Sequence, residues 1–160
     1  MRSAWRKSLV TAAAVAALCA LTPGGGSAAV PYAVAPRADV VALVNAYRAE
    51  AGCPAVHPHP ALRHAASVHS DHMARTQRLT HQGARGSGPG QRADAAGYDA
   101  SRVAENVAHA GPAAEVVATW MSSPGHRRNM LDCRYRNIGV GMTPDAGGLW
   151  WTQLLATGAR

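Results

Sequence analysis

The amino-acid sequence predicts an α+β fold. Helical periodicity dominates the earlier part of the chain, and the period changes to two only near the C-terminus. The period-two stretches flank a Gly-containing turn, which makes them an antiparallel hairpin. No internal repeat breaks this order.

The chain of 160 residues opens with an address label. Arg2, Arg6 and Lys7 form a basic region, Leu9 to Leu21 is apolar, and Ser27-Ala28-Ala29 offers small residues at a cleavage site. Residues 1–29 are therefore expected to be a removed signal peptide, since the apolar run is too short to span a bilayer comfortably. Cys19 leaves with it, because Leu18 is bulkier than a lipoprotein cleavage site prefers. Residues 30–38 read as a short, extended, Pro-containing leader, and residues 39–158 as one domain with room for a core.

The first helix is expected from Asp39 as N-cap, with Val40, Val41, Leu43, Val44 and Tyr47 on its apolar side and Gly52 at its end. A Pro-rich loop, Cys53 to Pro60, leads to a second helix from Ala61 to Arg78. Leu62, Ala65, Ala66, His69, Met73 and Thr76 share one face there. His69 thus reads as a hydrogen-bonded core histidine rather than a ligand, with His64 and His72 more exposed. Gln82 to Ala96, rich in Gly, Arg and polar residues, reads as a mobile surface loop. Ser101 to Ala108 reads as a short helical turn. Ala113 to Ser122 is a helix burying Val116, Val117, Trp120 and Met121.

That helix stops at Pro124-Gly125, where Ser123 can cap a short helix with Pro124 at its first position. His126 and Arg127 fall in the first turn, where the helix dipole disfavours cations. In the hairpin, Ile138, Val140 and Met142 alternate with glycines, and Asp145 to Gly148 is the turn. Leu149, Trp151, Gln153 and Leu155 alternate with Trp150, Thr152 and Leu154. A strand apolar on both faces belongs in the middle of a sheet. Gly139 and Gly141 call for close packing over the first strand, with Trp120 the expected neighbour.

Charge and cysteines narrow the class of function. The signal takes three basic residues with it, so 13 basic against 9 acidic side chains leave the exported chain at +4. Such mild basicity suits anionic wall polymers or lipid headgroups, and lacks the basic stripe interleaved with aromatics that nucleic-acid binding needs. No later segment is apolar enough to cross a membrane. Cys53 and Cys133 read as a disulfide in an exported protein, worth roughly 4 kcal/mol in the loop-entropy model. Two buried thiols or a Cys nucleophile are the alternatives.

Three polar residues stand just outside regular elements: His81, Glu105 and His126. Two histidines and a carboxylate can hold a divalent metal such as zinc with one position open, or act as acid–base partners. Their spacing matches no local ligand motif, so a polar groove with Glu105 bridging an internal turn is the competing reading. No cofactor is required by either. Ser122 and Ser123 lie outside any nucleophile-elbow context.

Six motifs then appear in order: Leu79-Thr80-His81, Gly97-Tyr98, Ala104-Glu105-Asn106-Val107-Ala108, Trp120 through Leu131, Ile138-Gly139-Val140-Gly141 and Trp151-Thr152-Gln153. Over Val40 to Thr157 the chain resembles bacterial secreted members of the CAP superfamily (cysteine-rich secretory, antigen 5 and pathogenesis-related 1 proteins, also called SCP-like). The resemblance implies a three-layer α-β-α sandwich with the C-terminal hairpin in its central sheet. It also implies a cleft bearing a His/Glu tetrad that holds a divalent metal in some members. His81 matches the first cleft histidine and Glu105 the first cleft glutamate. Where eukaryotic members place a second glutamate after the helix tryptophan, this chain has Ser123. Where they have a histidine before Thr-Gln, it has Trp151. His126 belongs to the bacterial Ser-Pro-Gly-His-Arg version, and Glu115 lies more than a turn before Trp120.

Two functions follow from these residues. The first is a non-catalytic extracellular binding module whose polar cleft takes a cell-wall polymer, a lipid or a small ligand. The second is a metal-assisted hydrolase using His81, Glu105 and His126. Asn106 and Asn129 are expected to tie loops by hydrogen bonds, and Arg127 to pair with Glu115 or Asp132.

Overall fold

A computed structural model describes residues 35–158. The expected signal peptide, 1–29, and residues 30–34 of the leader lie outside the described residues. The elements are α1 (Ala35–Glu50), β1 (His57–Pro58), α2 (Pro60–Thr76), α3 (Pro89–Ala95), β2 (Ala100–Ala110), α4 (Ala113–Ser122), α5 (Pro124–Met130), β3 (Asn137–Asp145) and β4 (Gly148–Gly158). They form a three-layer α-β-α sandwich around a sheet of order β1-β3-β4-β2. β4 runs antiparallel to both neighbours, while the two-residue β1 pairs parallel with β3. The expected hairpin is therefore β3–β4, and β4 is interior as its two apolar faces require.

Strand alternation divides the core. Trp151 and Leu155 of β4, with Ile138, Val140 and Met142 of β3, meet Val40 and Val44 of α1, Val116, Val117 and Trp120 of α4, and Met130 of α5. Leu154 and Ala156 turn the other way, onto Leu62, Ala65 and Ala66 of α2 and Ala93 of α3. Gly139 and Gly141 also face α2. A Cβ at Gly139 would lie 2.2 Å from the Leu62 carbonyl carbon, and one at Gly141 2.3 Å from that of Ala66. The glycines thus admit the α2 backbone, not Trp120, because they alternate with the residues that face α4.

The structure corrects four local expectations. Asp39 does not cap α1. The helix begins at Ala35, so 35–38 are helical rather than extended, with Pro36 placed where a first-turn N–H has no helical partner. The segment 82–96 is not a plain surface loop: a 3₁₀ turn (Ala84–Gly86) precedes α3, which buries Arg92 and Ala93. Ser101–Ala108 is not helical but the core of β2, paired with β4 along its length. Its Ala-, Glu- and Asn-rich composition favours no strand locally, and ladder pairing overrides that preference. Arg127 does not bridge to Glu115 or Asp132. Asp132 is held by Arg134, and Glu115 accepts from the Gly111 N–H.

The disulfide Cys53–Cys133 is formed. Beside it Arg48, fully buried, donates to the carbonyls of Pro54, Met130, Asp132 and Tyr135. The same loops are therefore fastened twice, once covalently and once by a guanidinium fan.

Candidate functional site

β2 is an edge strand, and its free edge organises the site. Outward carbonyls on a sheet edge need partners. Trp120 Nε1 donates to the Val107 carbonyl at 3.3 Å, and Asn129 Nδ2 to the Glu105 carbonyl at 3.3 Å. The Trp120–Leu131 stretch thus covers the edge with one side chain from α4 and one from α5. Ser123 occupies the N-cap position of α5 with Pro124 next, but its hydroxyl makes no capping bond. Ser122 donates to Thr119 of its own helix.

Glu105 points into the α2–α3 layer and is almost wholly buried. Its Oε1 accepts from His81 Nδ1 at 2.9 Å, and its Oε2 accepts from Arg92 Nη2 at 2.5 Å. Arg92 also donates to the carbonyls of His81 and Ser87, so it fastens the 81–88 segment to the strand. His69, from α2, lies 3.8 Å from the same carboxylate, with Nε2 donating to the Thr80 carbonyl at 2.8 Å. It is the hydrogen-bonded core histidine that its apolar face implied.

Asn106 points into the opposite layer. Its Nδ2 donates to the His126 carbonyl at 3.2 Å and to Gln153 Oε1 at 2.9 Å, while its Oδ1 accepts from Asn129 Nδ2 at 2.9 Å. Asn106 and Asn129 thus make the expected hydrogen bonds, but they tie α5 to strand β2 rather than loop to loop. Gln153 completes the network, a role that its place in an apolar strand did not announce.

The electrostatics separate the histidines. The hydrogen bond to Glu105 raises the His81 pKa, against a smaller burial effect. Burial lowers His69, and burial followed by the charge of His81 lowers His126. His81 is more than half exposed, and His126 is partly buried across the β2 edge from it. His69 Nδ1, His126 Nδ1 and Gln153 Nε2 are buried with no hydrogen-bond partner among the described residues.

The structure brings together His81 and Glu105 directly, and His126 only by proximity. Arg92, missed by periodicity, completes the arrangement; its one sequence signal was a charged residue beside Ala93 in an otherwise glycine-rich run. Among the described residues no three His, Cys, Asp or Glu side chains group closely enough to hold a metal. The Glu105 carboxylate already faces the Arg92 guanidinium, so a metal using that carboxylate would have to compete with it. Trp151 is fully buried and donates to the Gly111 carbonyl, and Glu115 serves its own helix end. Neither enters the cleft.

Residues 41–155 match the model of the cysteine-rich secretory protein (CAP) family. An uncharacterised protein, YkwD, of Bacillus subtilis (strain 168) is 31% identical over 117 residues, covering 72% of this chain; the chain spans 45% of that relative's length. Among solved structures, an extracellular SCP-domain protein of Bacillus anthracis matches with a TM-score of 0.71 at 21% identity, over 76% of this chain and 40% of that one. An outer surface protein of Borrelia burgdorferi matches with a TM-score of 0.73 at 16% identity, over 79% of this chain and 95% of that one. These structural likenesses speak for the fold.

Proposed function

The chain belongs to the cysteine-rich secretory protein (CAP) family, and from that premise we propose that it is an extracellular, non-catalytic recognition module. Its ligand is engaged at the β2 edge, at exposed His81, with His126 near enough to feel its charge. The observation that carries this reading is the double engagement of Glu105: with one oxygen on Arg92, the other on His81 and its side chain only 1% exposed, the carboxylate is held in the protein interior rather than presented to a substrate. Neither Ser122 nor Ser123 stands beside a base.

Export through a leader of residues 1–29 fits the disulfide, which belongs to an oxidising compartment. It also fits the extracellular and outer-surface descriptions of the structural neighbours. The partner class is an anionic wall polymer, matched to the +4 exported chain and to protonatable His81 at the cleft mouth.

Co-sedimentation with purified wall polymer tests this. Salt-sensitive binding weakened in His81→Ala and His126→Ala supports it, and turnover of any peptide, glycan or ester lost in His81→Ala overturns it. The proximity of His81 and His126 favours a second reading, the metal-assisted hydrolase, which needs Arg92 to release Glu105. A calorimetric zinc titration finding one tight site, lost in both histidine variants, would select that reading.

A further inference from the structure

A polar pocket of about 210 Å³ opens where α2 ends, lined by His72 and Thr76 of the helix, Arg78 just beyond it, Thr80 and Gln82 of the following segment, and the glycines that bound the 3₁₀ turn. It exists because Gln77 takes a left-handed conformation (φ 52°), which stops α2 and turns the chain back along the helix. Two buried side chains hold the returning segment in place. His69 Nε2 donates to the Thr80 carbonyl, and Arg92 donates to the carbonyls of His81 and Ser87. We propose that this pocket binds a glycerol-type phosphodiester, with Arg78, Thr80 and Gln82 donating to the phosphate and Thr76 accepting from a hydroxyl of the alcohol. The proposal deepens the recognition role by naming the charged group, and rests on that role only for where the phosphate comes from.

The donor set selects an anion. No acidic side chain lines the pocket, and among the described residues the Arg78 guanidinium and the Gln82 side-chain amide meet no acceptor of the protein. The Thr80 hydroxyl accepts from the Gln82 N–H at 3.0 Å, so its own proton is directed elsewhere. The last turn of α2, whose negative dipole end would repel an anion, is largely capped. Gln77 and Arg78 N–H groups donate to the Met73 carbonyl, the Thr76 hydroxyl to that of His72, and the Gln77 amide to that of Ala74. Placement of the donors then selects phosphate over carboxylate. They come from three chain positions around one cavity, and a tetrahedral phosphodiester offers oxygens in several directions, whereas a planar carboxylate is matched by one bidentate guanidinium. The Thr76 hydroxyl gives its proton to the His72 carbonyl, which leaves its lone pairs to accept from a ligand hydroxyl. An acyl chain would desolvate these groups without pairing them.

The test is an NMR titration of the exported chain at low salt with glycerophosphoglycerol, beside glycerate, which carries the same charge, and glycerol. Saturable shifts of the Thr80 and Gln82 amide signals are expected with the diester, and affinities roughly tenfold weaker or worse for glycerate and glycerol. Arg78→Glu should weaken diester binding by roughly tenfold or more. Its wild-type side chain bonds nothing among the described residues, so the variant should keep its fold, which circular dichroism checks. Arg63→Glu, the same charge change at the other end of α2, should leave the affinity unchanged. No saturable shift, glycerate binding as tightly as the diester, or equal losses in the two arginine variants would overturn the proposal. The same diester occurs in glycerol-phosphate wall polymers and in phosphatidylglycerol headgroups. Displacement by soluble polymer or by phosphatidylglycerol vesicles tells these sources apart, and either supports the pocket. Diester binding without co-sedimentation on wall polymer would uphold the pocket and sink the wall-polymer reading, and co-sedimentation without diester binding would do the reverse.

Discussion

Glu105 and Asn106 are neighbours in β2 whose side chains enter opposite layers of the sandwich. Glu105 meets Arg92 and His81 on the α2–α3 side, and Asn106 meets Asn129 and Gln153 on the α5 side. One dipeptide therefore fastens both helical layers to the free edge of the sheet. The consequences can be measured.

Arg92→Met leaves a buried carboxylate without its cation. Breaking a buried pair from one side costs about 3–5 kcal/mol. Urea unfolding should show that loss, and adding Glu105→Gln should recover part of it, because the uncompensated charge is gone. Equal stability of Arg92→Met and wild type would remove Arg92 from its assigned place.

The histidines should titrate apart. By NMR of the imidazole protons, His81 is expected above about 6.5, and His69 and His126 below it. His81, raised in the folded state, contributes stability that is complete below about 6.5 and lost as pH rises through its midpoint. His69 and His126, lowered, contribute stability complete above about 6.5 and lost as pH falls through theirs. His81→Gln should therefore differ from wild type most at acid pH and converge with it as pH rises. The same substitution should move the His126 midpoint upward, since the charge of His81 is one cause of its depression.

Gly139→Ala and Gly141→Ala should each cost at least about 3 kcal/mol, at the upper end of overpacking effects. The new methyl meets α2 backbone rather than a flexible side chain. Thermal unfolding of the two variants measures this, and a change below 1 kcal/mol (about that of a surface substitution) would contradict the close approach of α2.

Reduction of Cys53–Cys133 releases an 80-residue loop, worth roughly 4 kcal/mol. Arg48 still ties both sides through its bonds to Pro54, Met130, Asp132 and Tyr135. Circular dichroism should show the reduced wild type folded but less stable, and reduced Arg48→Met unfolded. A folded reduced double-deficient protein would show that other contacts hold these loops.

Much of this architecture was legible from local pattern. The apolar faces of α2 and α4, the Pro124-Gly125 corner and the alternation of β3 and β4 each state their burial in their own residues. Period reports which side of an element is buried. The cysteines likewise announced their pairing through composition and compartment. His81, Glu105 and His126 could be singled out by type and position, but their distances could not.

Tertiary structure alone decided the rest. β2 is a strand because β4 and the edge-covering side chains of Trp120 and Asn129 satisfy its backbone, whereas its composition argues locally for helix. Arg92 is a core residue because a carboxylate 13 positions later needs a cation, and no periodicity encodes a pair so separated. Gly139 and Gly141 announced a close approach but not its partner. The sequence by itself determined which faces are apolar and which residue types can do chemistry. Which groups neutralise one another was settled by packing, because charge pairing acts through space and leaves no mark on the period of the chain.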